Sequence, residues 1–129
     1  MANPAPGYEK KPEHRVDLLP EKRQVRVTFG GAVIADSNSA IRCEETGHGP
    51  VHYISAKDVR LDLLQATGHK TYCPFKGDCS YWTIAVDGTG GRQQAENAVW
   101  GYQAPFDEAA GLAGHYAFYK NRVDAIEVT

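Results

Sequence analysis

Residues 24–35 spell QVRVTFGGAVIA, and their alternation decides the fold class. Val25, Val27 and Phe29 take turns with Gln24, Arg26 and Thr28, the two-residue period of a strand with one buried face. A helix would place apolar residues three and four apart, which this segment does not do. Gly30-Gly31 then offers two residues that tolerate positive φ, as a tight hairpin requires. An apolar run over 32–35 returns as the second strand. Working outward, 36–39 (Asp-Ser-Asn-Ser) is turn chemistry. Further strands are expected over 40–44, 51–54, 71–73, 80–86, 98–102, 115–119 and 123–128, with a loop over 45–50 and a turn over 87–91.

One segment reads as helix. Ser55-Ala56-Lys57-Asp58 has the capping-box form, with Ser55 as N-cap and Asp58 reaching back. Val59 with Leu63, and Leu61 with Leu64, lie at helical spacings before Thr67-Gly68 ends the run. Two turns are too short to stand on propensity, so packing must hold them. Residues 106–112 are expected to add a second helical turn, with Asp107 and Glu108 suited to its start. The expected fold is mainly β, a compact single domain over 14–129 built from several short antiparallel sheets with one or two short helical turns. Residues 1–13, with three prolines and a glycine, read as a flexible arm.

Composition narrows the function classes. The 129 residues are 42% hydrophobic and 23% charged, the mix of one soluble domain with one core. Net charge is −2 and no basic run occurs, which argues against nucleic acid as a partner. No apolar run approaches the ~20 residues that span a bilayer. MANPAPGYEKKPEHR lacks the apolar centre of a secretory signal, so the expected location is the cytoplasm. Three cysteines, an odd number, argue against a disulfide scaffold. Cys73 and Cys79 are separated by five residues, unlike the close pairs of structural zinc sites. His48 and His52 lie just after Cys43, Glu44 and Glu45, but the glycine and proline between them exclude the helix that would aim both at one ion. No metal is expected, and no nucleotide motif of the GxxxxGK kind occurs, so the cofactor is left unknown.

The candidate site centres on residues 71–82, TYCPFKGDCSYW. Cys73 reads either as a thiolate activated by nearby Lys76 or as a buried, inert strand end. Lys76, in a turn where Gly77 lets backbone come close, is the candidate for ligand contact. Strand parity sends Trp82, Ile84 and Val86 to one face and Tyr81 to the other. Tyr53, Tyr81, Trp100, Tyr102 and Tyr119 are candidate pocket walls, since rings with polar tips at strand ends suit a concave site. Asp58 is a weaker candidate, read more simply as the helix cap.

Taken in order, HRVDLLPEKRQVRVTFGGAVIADS, YISAKDVRLDLL, CPFKGDCSYW, AVWGY and GHYAFYKNRVD resemble the bacterial "domain of unknown function 427" proteins, from about His14 to Val128. The block CPFKG followed by Ser80-Tyr81-Trp82 is the most specific. The resemblance implies a β-tent type of fold, with small, strongly coiled antiparallel sheets, and it implies no established reaction. A nucleotidyltransferase label sometimes accompanies the family, yet no Gly-Ser followed by an Asp-x-Asp pair is present here. Two departures stand out. Ser55 replaces the proline usual in the family before the short helix, and Cys79 replaces a small residue, so a shared function cannot depend on Cys79. Zinc, bound by Cys-x-x-Cys pairs in relatives of the same broad fold, is not implied for this chain.

Two readings follow, with a third behind them. In the first, Lys76 stands at the mouth of a small-molecule pocket, with an anionic ligand in view and acid–base catalysis by Lys and Tyr an open question. In the second, the chain is a structural or interaction domain that forms a homodimer. The third is a thiol redox protein using Cys73.

Overall fold

The computed structural model describes residues 2–88 and 90–129. Among the described residues, ten strands form two curled antiparallel sheets that close into a half-barrel. In chain order they are β1 (Val16–Glu21), β2 (Val25–Phe29), β3 (Ala32–Ser37), β4 (Ala40–Glu45), β5 (Val51–Ser55), β6 (Leu64–Cys73), β7 (Gly77–Gly88), β8 (Gly91–Gly101), β9 (His115–Phe118) and β10 (Ala125–Val128). The larger sheet runs β1-β4-β5-β9-β8-β7-β6 and the smaller β10-β2-β3. Among the described residues no helix is long and apolar enough to cross a membrane.

The opening hairpin forms as its pattern dictates. Val25 and Val27 are fully buried, and Gly30 and Gly31 take φ of 60° and 81°, the left-handed values that a two-residue turn needs. β7 shows why the domain holds two apolar clusters rather than one. It is buried along nearly its whole length, because opposite faces of the strand serve different clusters. Trp82, Ile84 and Val86 join Val25, Val27 and Ile34 of the smaller sheet. Cys79 and Tyr81 turn the other way, onto Cys43, Tyr53, Tyr102 and Leu112 inside the curl of the large sheet.

Two bulges interrupt the β6-β7-β8 ladder of the larger sheet. Between Ala66 and Lys70, β6 spends extra residues against β7, and β8 does the same between Ala95 and Val99. Extra residues on one strand bend it and increase its twist. Asn97, in the β8 bulge, has φ of 50°, and its side-chain oxygen accepts a hydrogen bond from Thr67 at 2.7 Å, joining the two bulges across β7. Asn97→Val would force a β-branched residue into the left-handed region. It is expected to cost about 2 kcal/mol in urea unfolding, with Asn97→Gly costing much less. Equal losses for the two would show that the backbone conformation is not what matters.

Several sequence expectations need correction. The helix expected after Ser55 is replaced by two 3-10 turns, Ala56–Asp58 and Leu61–Leu63, and Ser55 makes no side-chain cap. Asp58 instead accepts a hydrogen bond from the Ser37 hydroxyl at 2.7 Å, and Val59 bridges to Ala35, so pairing with β3 displaces helix propagation. β1 was not expected. It carries Pro20, which an edge strand accepts because no ladder bond is lost on its open side. β6 and β8 begin well before the stretches 71–73 and 98–102, so not all strands are short. The expected turn over 87–91 includes Thr89, which lies outside the described residues, while Gly88 and Gly91 pair across it. Residues 106–112 form the helical turn expected of them, a 3-10 segment over Asp107–Leu112 that buries Ala109 and Leu112 in the second cluster.

The segment read as a flexible arm is laid against the domain. Asn3 and Ala5 donate backbone hydrogen bonds to Asp107 and Glu108, and Ala5 is 5% exposed. Gly7–Lys10 forms a one-turn helix, α1, and Gly7 donates to the carbonyl of Pro74.

Candidate functional site

The turn between β6 and β7 carries Lys76 inward. Lys76 N–H donates to the Cys73 carbonyl, which closes the turn, and the Lys76 carbonyl accepts from Phe106. Gly77 follows with φ of 121°, and a Cβ there would meet the backbone of Ala104 and Pro105 at an ordinary 3.4 Å. The φ, not the space, is what calls for glycine. From the outside, Phe75 is gripped by the His14 ring, stacked at 3.9 Å, and by Tyr8 edge-on at 5.0 Å. The N-terminal segment therefore fixes the turn that positions the lysine.

Lys76 is 8% exposed and its ammonium donates to Glu45 at 2.5 Å. The second oxygen of Glu45 bonds His14 at 2.9 Å. Burial opposes charge on both partners, but the mutual hydrogen bond and attraction outweigh it. Glu45 is held below its ordinary range, and Lys76 is raised above its own. Both stay ionised at neutral pH, a buried pair with a third ligand from His14.

Around this pair lies a cavity of about 310 Å³. Its walls bring together Lys76, Tyr53, Tyr81, Trp100, Tyr102 and Tyr119. Strand register explains the convergence: Tyr81 sits opposite Trp100, and Trp100 opposite Ala117 on β9, so these side chains share the concave face. Trp100 donates its indole N–H to the Tyr53 hydroxyl at 3.2 Å, and Tyr81 shares a 2.9 Å bond with Thr71. The Lys76 ammonium stands 5.7 Å from the Tyr102 ring centroid, within cation–π reach. Burial pushes the phenols of Tyr53 and Tyr102 well above their ordinary value, and that of Tyr81 up to about 12 despite the bond to Thr71. At neutral pH these groups are proton donors, not bases.

Two other candidates sit apart from the cavity. Asp58 is held by Ser37 beside β3. Cys73 packs half-buried against the second cluster without lining the cavity. His69, the histidine nearest to Cys73 in sequence, rests its ring 4.5 Å from Tyr81. Cys43 and Cys79 are buried free thiols whose ionisation burial makes harder. Among the described residues no three of the His, Cys, Asp and Glu side chains are grouped as a metal site.

Sequence reasoning missed Glu45, Cys43 and His48 as lining residues, and His14 as a partner. Glu45 had been placed in a loop, whereas β4 runs one residue further and pairs Glu45 with Val16. The available signal was parity, since Ile41, Cys43 and Glu45 fall on one face.

The model of the family described as Domain of unknown function (DUF427) matches residues 17–129, nearly the whole chain. The chain belongs to the DUF427 family. The match spans every strand but the first residue of β1, so both walls of the cavity are part of the DUF427 domain, while His14 and the strap around Phe75 precede it. No curated protein matches the chain, and the DUF427 description carries no activity with it.

Proposed function

We propose that this DUF427 protein binds a small molecule in the cavity at Lys76. The supporting observation is the convergence of one lysine, four tyrosines and a tryptophan on a single concavity of about 310 Å³. That volume is at the lower end of the ~300–1,000 Å³ common for ligand sites, and the wall combines aromatic rings with a few placed polar groups. The expected anionic ligand is less well served than the sequence implied, because the Lys76 charge is already met by Glu45. A ligand that uses hydroxyl donors alongside a neutralised lysine fits better. Binding is favoured over acid–base turnover, since the phenols and Lys76 all hold their protons firmly near neutral pH.

The test is a thermal-shift screen of sugars, carboxylates, nucleotides and neutral oxygenated metabolites. Stabilising compounds are expected to raise the melting temperature of the wild-type protein and to lose that effect in Tyr119→Ala, where a half-buried wall of the cavity is removed. Compounds that stabilise both proteins equally, or an empty screen, would remove the support for a binding site here.

A further inference from the structure

A second space adjoins the cavity across its aromatic wall. Gly49, Val51, Trp100 and Tyr119 line it and also line a second cleft of about 600 Å³ that opens between the two sheets. The floor of that cleft is Val25, Val27, Ile54, Phe118 and Ile126. The first four are core side chains no more than 5% exposed, so the apolar surface open in the cleft belongs to half-buried Val51, Trp100, Tyr119 and Ile126. A concave, largely apolar space of this size is the usual form of a small-molecule site. Its polar lining is exposed Lys120 and Asn121 together with His52, which is already bonded to Glu21 at 2.9 Å.

We propose that the two compartments form one site for an uncharged amphiphile. An oxygen-bearing head, such as an amide, ester or alcohol, would lie against Lys76 and the tyrosine hydroxyls. An aliphatic body would cross the Trp100–Tyr119 pair, whose rings stand 4.4 Å apart, into the apolar cleft. This rests on the pocket reading above and names its ligand class.

Charge selects the head. Lys76 and Glu45 neutralise each other, so a carboxylate would face Glu45 and an amine would face Lys76, each with a desolvation cost that the opposite partner no longer offsets. A neutral group with both donor and acceptor capacity meets ammonium and phenol without that conflict. Chemistry selects the body too. The open walls contributed by Val51, Trp100, Tyr119 and Ile126 are mostly apolar, and a flexible chain covers such a surface without leaving polar atoms unpaired. Adjacency favours one ligand over two, because the same four residues bound both spaces.

Calorimetric titration of the intact protein with primary amides from two to ten carbons tests this, below their aggregation limits. Affinity is expected to rise about fourfold for each added methylene until the cleft is full. Decanoate and decylamine should bind more weakly than the amide of equal length. Ile126→Trp, which fills the cleft, is expected to abolish the length dependence, and Asn121→Trp at the exposed rim serves if the first variant does not fold. Long amides that bind no tighter than short ones, or a length dependence untouched by both variants, would overturn the amphiphile while leaving the pocket at Lys76 standing. Absence of heat from every member, joined to an empty thermal-shift screen, would overturn both.

Discussion

Lys76→Met is expected to lower the free energy of unfolding by about 3 kcal/mol in urea near neutral pH. Methionine keeps the length of the lysine stem, so the loss reports the charge rather than the packing. It leaves Glu45, with a side chain 11% exposed, holding only His14. Glu45→Gln should cost a similar amount, since it strands an ammonium 10% exposed. The double variant Lys76→Met/Glu45→Gln is expected to recover part of the loss, because neither charge then has to be desolvated alone. Strictly additive losses would show that the two residues are not a pair in solution. The pH dependence has a definite sign. Glu45 is lowered from 4.5, so its contribution is complete above that value and disappears as pH falls through the lower folded value. Lys76 is raised from 10.5, so its contribution is complete below that value and is lost as pH climbs through the higher folded one. The wild-type advantage over Glu45→Gln should therefore be level between these limits and fall away outside them.

The same pair shows how far a sequence can be read. Alternation and turn chemistry are local, so β2, β3 and the Gly30-Gly31 hairpin were legible, as was the opposite facing of Tyr81 and Trp82. The aromatic wall was half legible, because parity tells which rings share a strand face but not that β9 inserts between β5 and β8 and joins them in one sheet. The partner of Lys76 was not legible. Glu45 lies 31 residues away on a strand that reaches the turn only once the sheet has curled, and the curl depends on bulges that no short pattern announces. Asp78 is only two residues from Lys76 in the chain, yet the lysine meets Glu45 instead. The failed helix at 55–64 has a similar cause. Its spacings were sound, but a bridge from Val59 to Ala35 and the bond from Ser37 to Asp58 bind the backbone to β3 before a second turn can form.

Tyr53 offers the sharpest separation of scaffold from site, through an expected cost of about 4 kcal/mol for Tyr53→Ala against about 1 kcal/mol for Tyr53→Phe. The ring is 2% exposed, with Trp100 edge-on at 6.2 Å and Tyr102 at 6.4 Å, so truncation to alanine opens a hole in the second cluster. Phenylalanine keeps that packing and removes only the oxygen that accepts the Trp100 indole N–H. Because Trp100 is half-buried, water can take over part of that bond, which keeps the cost low. Binding should respond in the opposite proportion. A ligand head that uses the Tyr53 hydroxyl is expected to lose about tenfold in affinity in Tyr53→Phe, a change of roughly 1.4 kcal/mol, while the protein remains nearly as stable. Urea unfolding and calorimetry on the same sample measure the two effects separately. A variant that keeps both its stability and its affinity would show that the hydroxyl serves neither the fold nor the ligand, and the polar end of the cavity would then have to be assigned to Lys76 and the remaining tyrosines alone.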